Sequence, residues 1–149
     1  MTFPIITAAL AGVLLILQQV LMLSAGTRRA RTGIGVGYAD DKNLERLVRR
    51  HGNLAENSAI FIAGLALLEL FSGPTLAVQI FAGVFLLARL SHAFGFSNLK
   101  GSHGKLAGDG ATGSGTVVLF RAGGATLTAL TGIALGAYLL WVMVPQLPF

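Results

Sequence analysis

Long apolar runs alternate with short polar breaks along this chain, and the runs are too long for the helices of a soluble core. The first is Phe3–Ala25. The second starts near Lys42 as a polar, amphipathic stretch and turns apolar from Leu54 to Phe71. The third is Leu76–Phe96 and the fourth Thr116–Val144. At about 1.5 Å per residue, each crosses a hydrocarbon layer of about 30 Å as an α-helix. Helices are expected because a spanning helix satisfies its own backbone polar groups. None of the runs shows the strict alternation of a membrane β-barrel. The pattern therefore predicts an all-α integral membrane four-helix bundle, with residues 1–149 as one domain and helices at about 3–25, 43–71, 76–96 and 116–144. No basic region precedes the first run, which reads as a retained span and not a cleaved leader. Gln18 and Gln19 interrupt it and are expected to face the bundle.

Composition agrees with a membrane location. Hydrophobic residues make up 54% of the 149 positions and charged ones 11%, against about 25% charged in a soluble domain. The mean hydropathy is +0.73. A net charge of +5 would suggest nucleic acid in a soluble protein; here it fits basic loops on the cytoplasmic side of a membrane. There is no cysteine, so a thiol used in chemistry has to arrive with a substrate. The three histidines, His51, His92 and His103, lack metal-ligand spacing.

The connections set a topology. Gly26–Asn43 carries Arg28, Arg29, Arg31 and Lys42, and its glycine-punctuated Thr32–Tyr38 stretch is not expected to be helical. Ser72-Gly73-Pro74 is a tight uncharged turn. Ser97–Gly115 is glycine-rich, holds Lys100 and Lys105, and is expected to be mobile. The positive-inside rule then puts the first and third connections in the cytoplasm and both termini outside, with a bacterial inner membrane as the expected location. Gly33, Gly35 and Gly37 do not make a phosphate loop, since no strand precedes them and no GKS/T follows. Gly123, Gly124, Gly132 and Gly136 are expected to permit close helix packing.

Polar residues inside the apolar runs carry the candidate chemistry. A charge at the bilayer centre costs roughly 2.5–3.5 kcal/mol on insertion scales, so such residues usually face a bundle interior or a wet cavity. Arg49, Asn53 and Glu56 stand at i, i+4 and i+7, on one helix face. Arg89, His92 and Phe96 stand at i, i+3 and i+7 on the third helix, near the same membrane face. Arg121 is the charge within the fourth run and enters near that face too. A purely structural account has Arg46 and Arg50 snorkelling to the interface, Glu56 pairing with Arg49, Arg89 or Arg121, and Glu69 snorkelling at the opposite interface. It explains Asn53 and Glu56 less well, since both are costly to bury without partners. Several arginines with one carboxylate suit a ligand with several carboxylates and an amino group. A tripeptide such as glutathione fits, its carboxylates on arginine and its ammonium on Glu56. An arginine beside the thiol favours the thiolate.

On these residues the sequence resembles the MAPEG family, the membrane-associated proteins in eicosanoid and glutathione metabolism. The match is Arg49-x-x-x-Asn53-x-x-Glu56, preceded by Glu45-Arg46, with support from Arg28-Arg29-Ala30 and from Arg89-x-x-His92. The resemblance implies a four-helix protomer, a homotrimer, and glutathione sites between protomers near the cytoplasmic face. It implies that Arg28, Arg49, Asn53, Glu56, Arg89, His92 and Phe96 contact or organise glutathione, and that Arg121 activates the thiol. One departure is specific: glutathione-binding members often carry a tyrosine where this chain has Phe96, whose ring packs but cannot donate. Gly52 and Asn57 depart from some members as well. The expected function is a glutathione-dependent transferase or peroxidase acting on a lipophilic small molecule. The alternative is a non-catalytic protein of the same fold that binds a lipid or another anion. A small transporter ranks below both, because the charges gather at one end only.

Overall fold

The computed structural model describes residues 3–99 and 115–147; the expectation of mobility for the third connection falls largely outside them. The described residues form four long helices and no strand: α1 (Ile5–Thr32), α2 (Lys42–Ser72), α3 (Leu76–Gly95) and α4 (Gly115–Met143), followed by a single 3₁₀ turn at Val144–Gln146. All four are long and apolar enough to cross a membrane. Most of their apolar surface faces outward, with Leu15, Ile16, Ile60, Leu87, Ile133 and Trp141 among the exposed side chains. That is the distribution of an integral membrane protein, whose solvent is lipid.

The first helix runs beyond the expected end at Ala25, to Thr32. Arg28, Arg29, Ala30 and Arg31 are good helix formers, and their charges complement the negative end of the helix dipole. The stop is Gly33, whose φ of 72° is left-handed and whose N–H donates to the Arg29 carbonyl at 2.8 Å. Asp41 caps the start of α2, its side chain accepting from the amides of Asn43 and Leu44 at 3.0 and 3.1 Å. Gly73 ends α2 with a φ of 73°. Pro74 follows, and the Thr75 side chain caps α3.

Helices α3 and α4 make the most extensive contact, and α1 packs on α2. Two glycines set the first of these. A Cβ on Gly124 would lie 2.5 Å from the His92 nitrogen, and one on Gly95 2.5 Å from the Arg121 Cα. The backbones meet there, as small residues allow in membranes. Gly123, Gly132 and Gly136, expected to serve likewise, have open space where a Cβ would go. Between α2 and α3 the rings of Phe61 and Phe85 stack at 3.7 Å, amid buried Leu54, Leu65, Leu68 and Val78.

Two further expectations are corrected by long-range contacts. Glu69 does not snorkel: it is fully buried and holds the start of α1. Its carboxylate accepts from the Ile6 amide at 2.9 Å, the Thr7 amide at 2.8 Å and the Thr7 hydroxyl at 2.7 Å. Gln18 does face the bundle, within 3.4 Å of His51 Nδ1, whereas Gln19 is on the outside.

Candidate functional site

The end of the bundle opposite Glu69 brings together the end of α1, the start of α2, the end of α3 and the start of α4. Here Arg46 and Arg50, expected to snorkel, instead bind the end of α3. Arg46 donates to the Phe96 carbonyl at 2.5 Å and Arg50 to the Ala93 carbonyl at 2.8 Å. Both carbonyls lie at the helix end, where intrahelical bonding runs out: the Ala93 carbonyl also accepts from the Phe96 amide, at a long 3.3 Å, and the two guanidinium groups add to what the helix supplies. Ser91 adds a bond from α3 to the Phe120 carbonyl of α4 at 2.9 Å. The termini of three helices are thereby locked at one depth.

A cleft of about 320 Å³ opens at this end, lined by Tyr38, Val48, Arg49, Gly52, Asn53, Glu56 and Phe96. The volume is in the range of about 300–1,000 Å³ usual for small-molecule sites. Arg49, Asn53 and Glu56 thus share a wall, as their spacing predicts. Arg49 has a long 3.9 Å contact with Glu45, and its side chain is 68% exposed. Its guanidinium is available to an anion. Glu56 is exposed and forms no ion pair among the described residues, so it is not the internal counter-ion of Arg49, Arg89 or Arg121.

Behind the wall lies Arg89, only 1% exposed. It donates to Asn53 Oδ1 at 2.9 Å and to the Thr128 hydroxyl at 3.1 Å. Arginine has no acceptor, so this bond fixes the Asn53 amide with its oxygen inward. The cleft then receives the amide NH₂, a donor. Together with Arg49 it makes two donor groups for carboxylate or carbonyl oxygens, with Glu56 as the acceptor. His92 is 4% exposed, and its ring lies 5.0 Å from that of Phe96. Arg89 Nε and His92 Nδ1 have no hydrogen-bond partner among the described residues. Most buried polar atoms are paired, so these two mark a place where the bundle is not fully satisfied.

Phe96 separates the cleft from Arg121. The Arg121 guanidinium carbon lies 5.8 Å from the centroid of the Phe96 ring, a cation–π contact. Arg121 therefore borders the cleft through the ring and does not line it within one chain. Arg28 is also outside the cleft: its Nε donates to Asp41 Oδ2 at 2.8 Å. The guanidinium and the amides of Leu44 and Asn43 hold the Asp41 carboxyl below its ordinary value, with Arg28 the largest cause. Tyr38 lines the cleft although nothing in the sequence pattern selects it. The available signal was a single aromatic in a glycine-rich connection between two basic helix ends.

A second, apolar groove of about 520 Å³ runs between α2 and α4, past Ile60, Gly64, Leu67, Gly132 and Ile133. Asn57 also lines it, one residue along α2 from Glu56. The polar cleft and the apolar groove therefore start from adjacent residues of one helix.

Comparison with known proteins agrees with this architecture. The chain matches the MAPEG family over residues 7–141. It is 33% identical over 95 residues to an uncharacterized protein of Synechocystis sp., a stretch covering 63% of this chain and 66% of that protein, just under two thirds of its length. The family match takes in all four helices except the ends of the first and last, and with them every residue of the cleft: this chain belongs to the MAPEG family.

Proposed function

We propose that the protein is a membrane-bound, glutathione-dependent transferase or peroxidase that acts on lipophilic electrophiles. The observation that carries the reading is the cleft itself, where Arg49 and the Asn53 amide NH₂ face the same space as Glu56. Two donors and one carboxylate match a tripeptide with two carboxylates and one ammonium. Membership of the family supports glutathione as the co-substrate.

In this reading Arg49 and Asn53 hold glutathione carboxylate or carbonyl oxygens and Glu56 accepts from the ammonium. Arg89 and His92 brace the wall. Arg121, beyond Phe96, favours ionisation of the thiol by its positive charge. In the transfer step the thiolate sulfur forms a bond to an electrophilic carbon. The leaving group departs with the bonding electron pair, and the thiol proton has already gone to water. The apolar groove beside Asn57 suits the lipophilic partner. A homotrimer with sites between protomers would let Arg28 complete the site of an adjoining copy. The basic residues at this end support a cytoplasmic site in a bacterial inner membrane, with both termini outside.

The test is conjugation of glutathione to an aryl halide by detergent-purified protein, beside glutathione protection against thermal unfolding. Turnover and protection are expected together. Arg121→Ala should retain glutathione protection and lose about a hundredfold or more in kcat, the scale of removing one group that stabilises developing charge. Protection without turnover would favour the non-catalytic reading, which the missing hydroxyl at Phe96 supports. Neither protection nor turnover would sink the glutathione reading.

A further inference from the structure

The connection from Gly33 to Asp41 is short, exposed and strained, yet it is held from both sides. Arg29, on the last turns of α1, donates through one terminal nitrogen to the carbonyls of Ile34, Gly35 and Gly37, each at 3.1 Å. Arg28, its neighbour, donates to Asp41 at the far end. The Asp41 amide closes back on the Tyr38 carbonyl at 2.8 Å. Between these ties Ala39 and Asp40 have φ values of 43° and 62°. Two consecutive residues with side chains rarely adopt left-handed backbone, and they do so where the surroundings over-determine the chain.

What the ties hold in place is Tyr38, the one residue of this connection that lines the cleft of Arg49, Asn53 and Glu56. We propose that residues 33–41 are a strap, fastened by Arg29, whose purpose is to keep the Tyr38 ring as a wall of the glutathione cleft. Tyr38 is then a binding residue contributed by the connection between α1 and α2. Arg29, which does not line the cleft, is its positioning residue. An aromatic side chain suits this place: it covers a large area at little cost in conformational freedom. It also stands with Phe96 in the same cleft, so the ligand meets two rings and not one.

This inference rests on the glutathione reading above, and the experiment separates the two. Glutathione binding to the full-length protein in detergent is measured by calorimetry for the parent, Tyr38→Ala, Tyr38→Phe, Arg29→Ala and the Tyr38→Ala/Arg29→Ala double variant. Tyr38→Ala should weaken binding roughly tenfold. Tyr38→Phe, which keeps the ring, should recover most of the loss. Arg29→Ala, remote from the cleft, should lose roughly as much as Tyr38→Ala. The double variant should be no worse than either single one, because both act through one ring. In turnover the loss should appear in KM for glutathione and leave kcat near the parent value.

A parent that binds no glutathione overturns the reading and the strap with it. A parent that binds, with Tyr38→Ala binding equally well, overturns the strap alone and leaves the cleft standing. Additive losses in the double variant overturn the positioning role of Arg29. Thermal unfolding of each variant provides the control for folding: a loss of affinity without a loss of stability is the expected pattern, since the strap lies at the surface.

Discussion

The two ends of this bundle both bury ionisable groups in apolar surroundings, and they do so in opposite ways. At one end Glu69 is sealed completely, and its oxygens take two amides and a hydroxyl from α1. At the other end Arg89 is nearly as buried, yet its Nε and the neighbouring His92 Nδ1 lack a partner among the described residues. Glu56 is exposed there without an ion pair among the described residues. A buried charge whose bonds are all made holds a fold together. A cluster that is part braced and part unsatisfied, with a cleft before it, is arranged for something else to bind. The distinction between architecture and site is thus one of satisfied bonds and not of burial alone.

The sharpest way to break this comparison is to treat the two ends alike. Glu69→Ala strands the Ile6 and Thr7 amides at the start of α1 without a replacement acceptor. Hydrogen bonds to a charged group contribute roughly 1.5–3 kcal/mol each, and the loss is incompletely additive, so about 3 kcal/mol of stability should go. Glu69→Gln keeps one acceptor oxygen and should lose less. Thermal unfolding in detergent measures both. Any protein that remains folded should bind glutathione as the parent does, because the cleft is at the far end. An unchanged melting temperature in Glu69→Ala would show that the carboxylate does not hold α1.

Arg89→Met should behave in the opposite sense. Among the described residues Arg89 has no carboxylate partner; its bonds go to neutral Asn53 and Thr128. Removing a buried charge that no carboxylate compensates relieves its desolvation cost, and this offsets the bonds lost to Asn53 and Thr128. Stability should therefore stay within about 1 kcal/mol of the parent. The Asn53 amide, however, loses the donor that fixes its oxygen inward, and the cleft loses a fixed NH₂. Glutathione affinity should fall about tenfold, the equivalent of about 1.4 kcal/mol. Unfolding and calorimetry on the same sample separate the two effects. Large destabilisation with unchanged affinity would place Arg89 with Glu69, as architecture.

The sequence carries this contrast unevenly. All four helices follow from long apolar runs, the second led in by an amphipathic stretch, and Arg49, Asn53 and Glu56 share a cleft because helical spacing put them on one face. What depends on distant partners was not legible. Glu69 reads as a snorkelling charge until the start of α1 is beside it. Arg46 and Arg50 read the same way until the end of α3 supplies the Phe96 and Ala93 carbonyls. The charges of Arg28–Arg31 read as a loop, yet these residues favour helix and the real stop of α1 is Gly33. Tyr38 has no periodicity to reveal it; it reaches the cleft on a connection tied by Arg29, by Arg28 through Asp41, and by the Asp41 amide.

The smallest expected effect concerns the clasp between Arg28 and Asp41, where a partly exposed pair at the surface is screened by water and salt. The Asp41 carboxyl is held below its ordinary value, first by the Arg28 hydrogen bond and then by the Leu44 and Asn43 amides. A carboxyl depressed in the folded state stabilises fold and loop above its unfolded value, near 3.8. That contribution disappears as pH falls through the lower, folded value. The parent should therefore lose a small increment of melting temperature as pH drops from about 5 to about 3. Asp41→Asn removes the charge but remains a good helix cap, so what it deletes is the pair with Arg28. Its melting temperature should start slightly below the parent at neutral pH, converge with it at low pH, and respond less to added salt. A difference between the two proteins that persists unchanged to about pH 3 would show that Asp41 acts through its cap alone, and that Arg28 is at liberty to serve a site elsewhere.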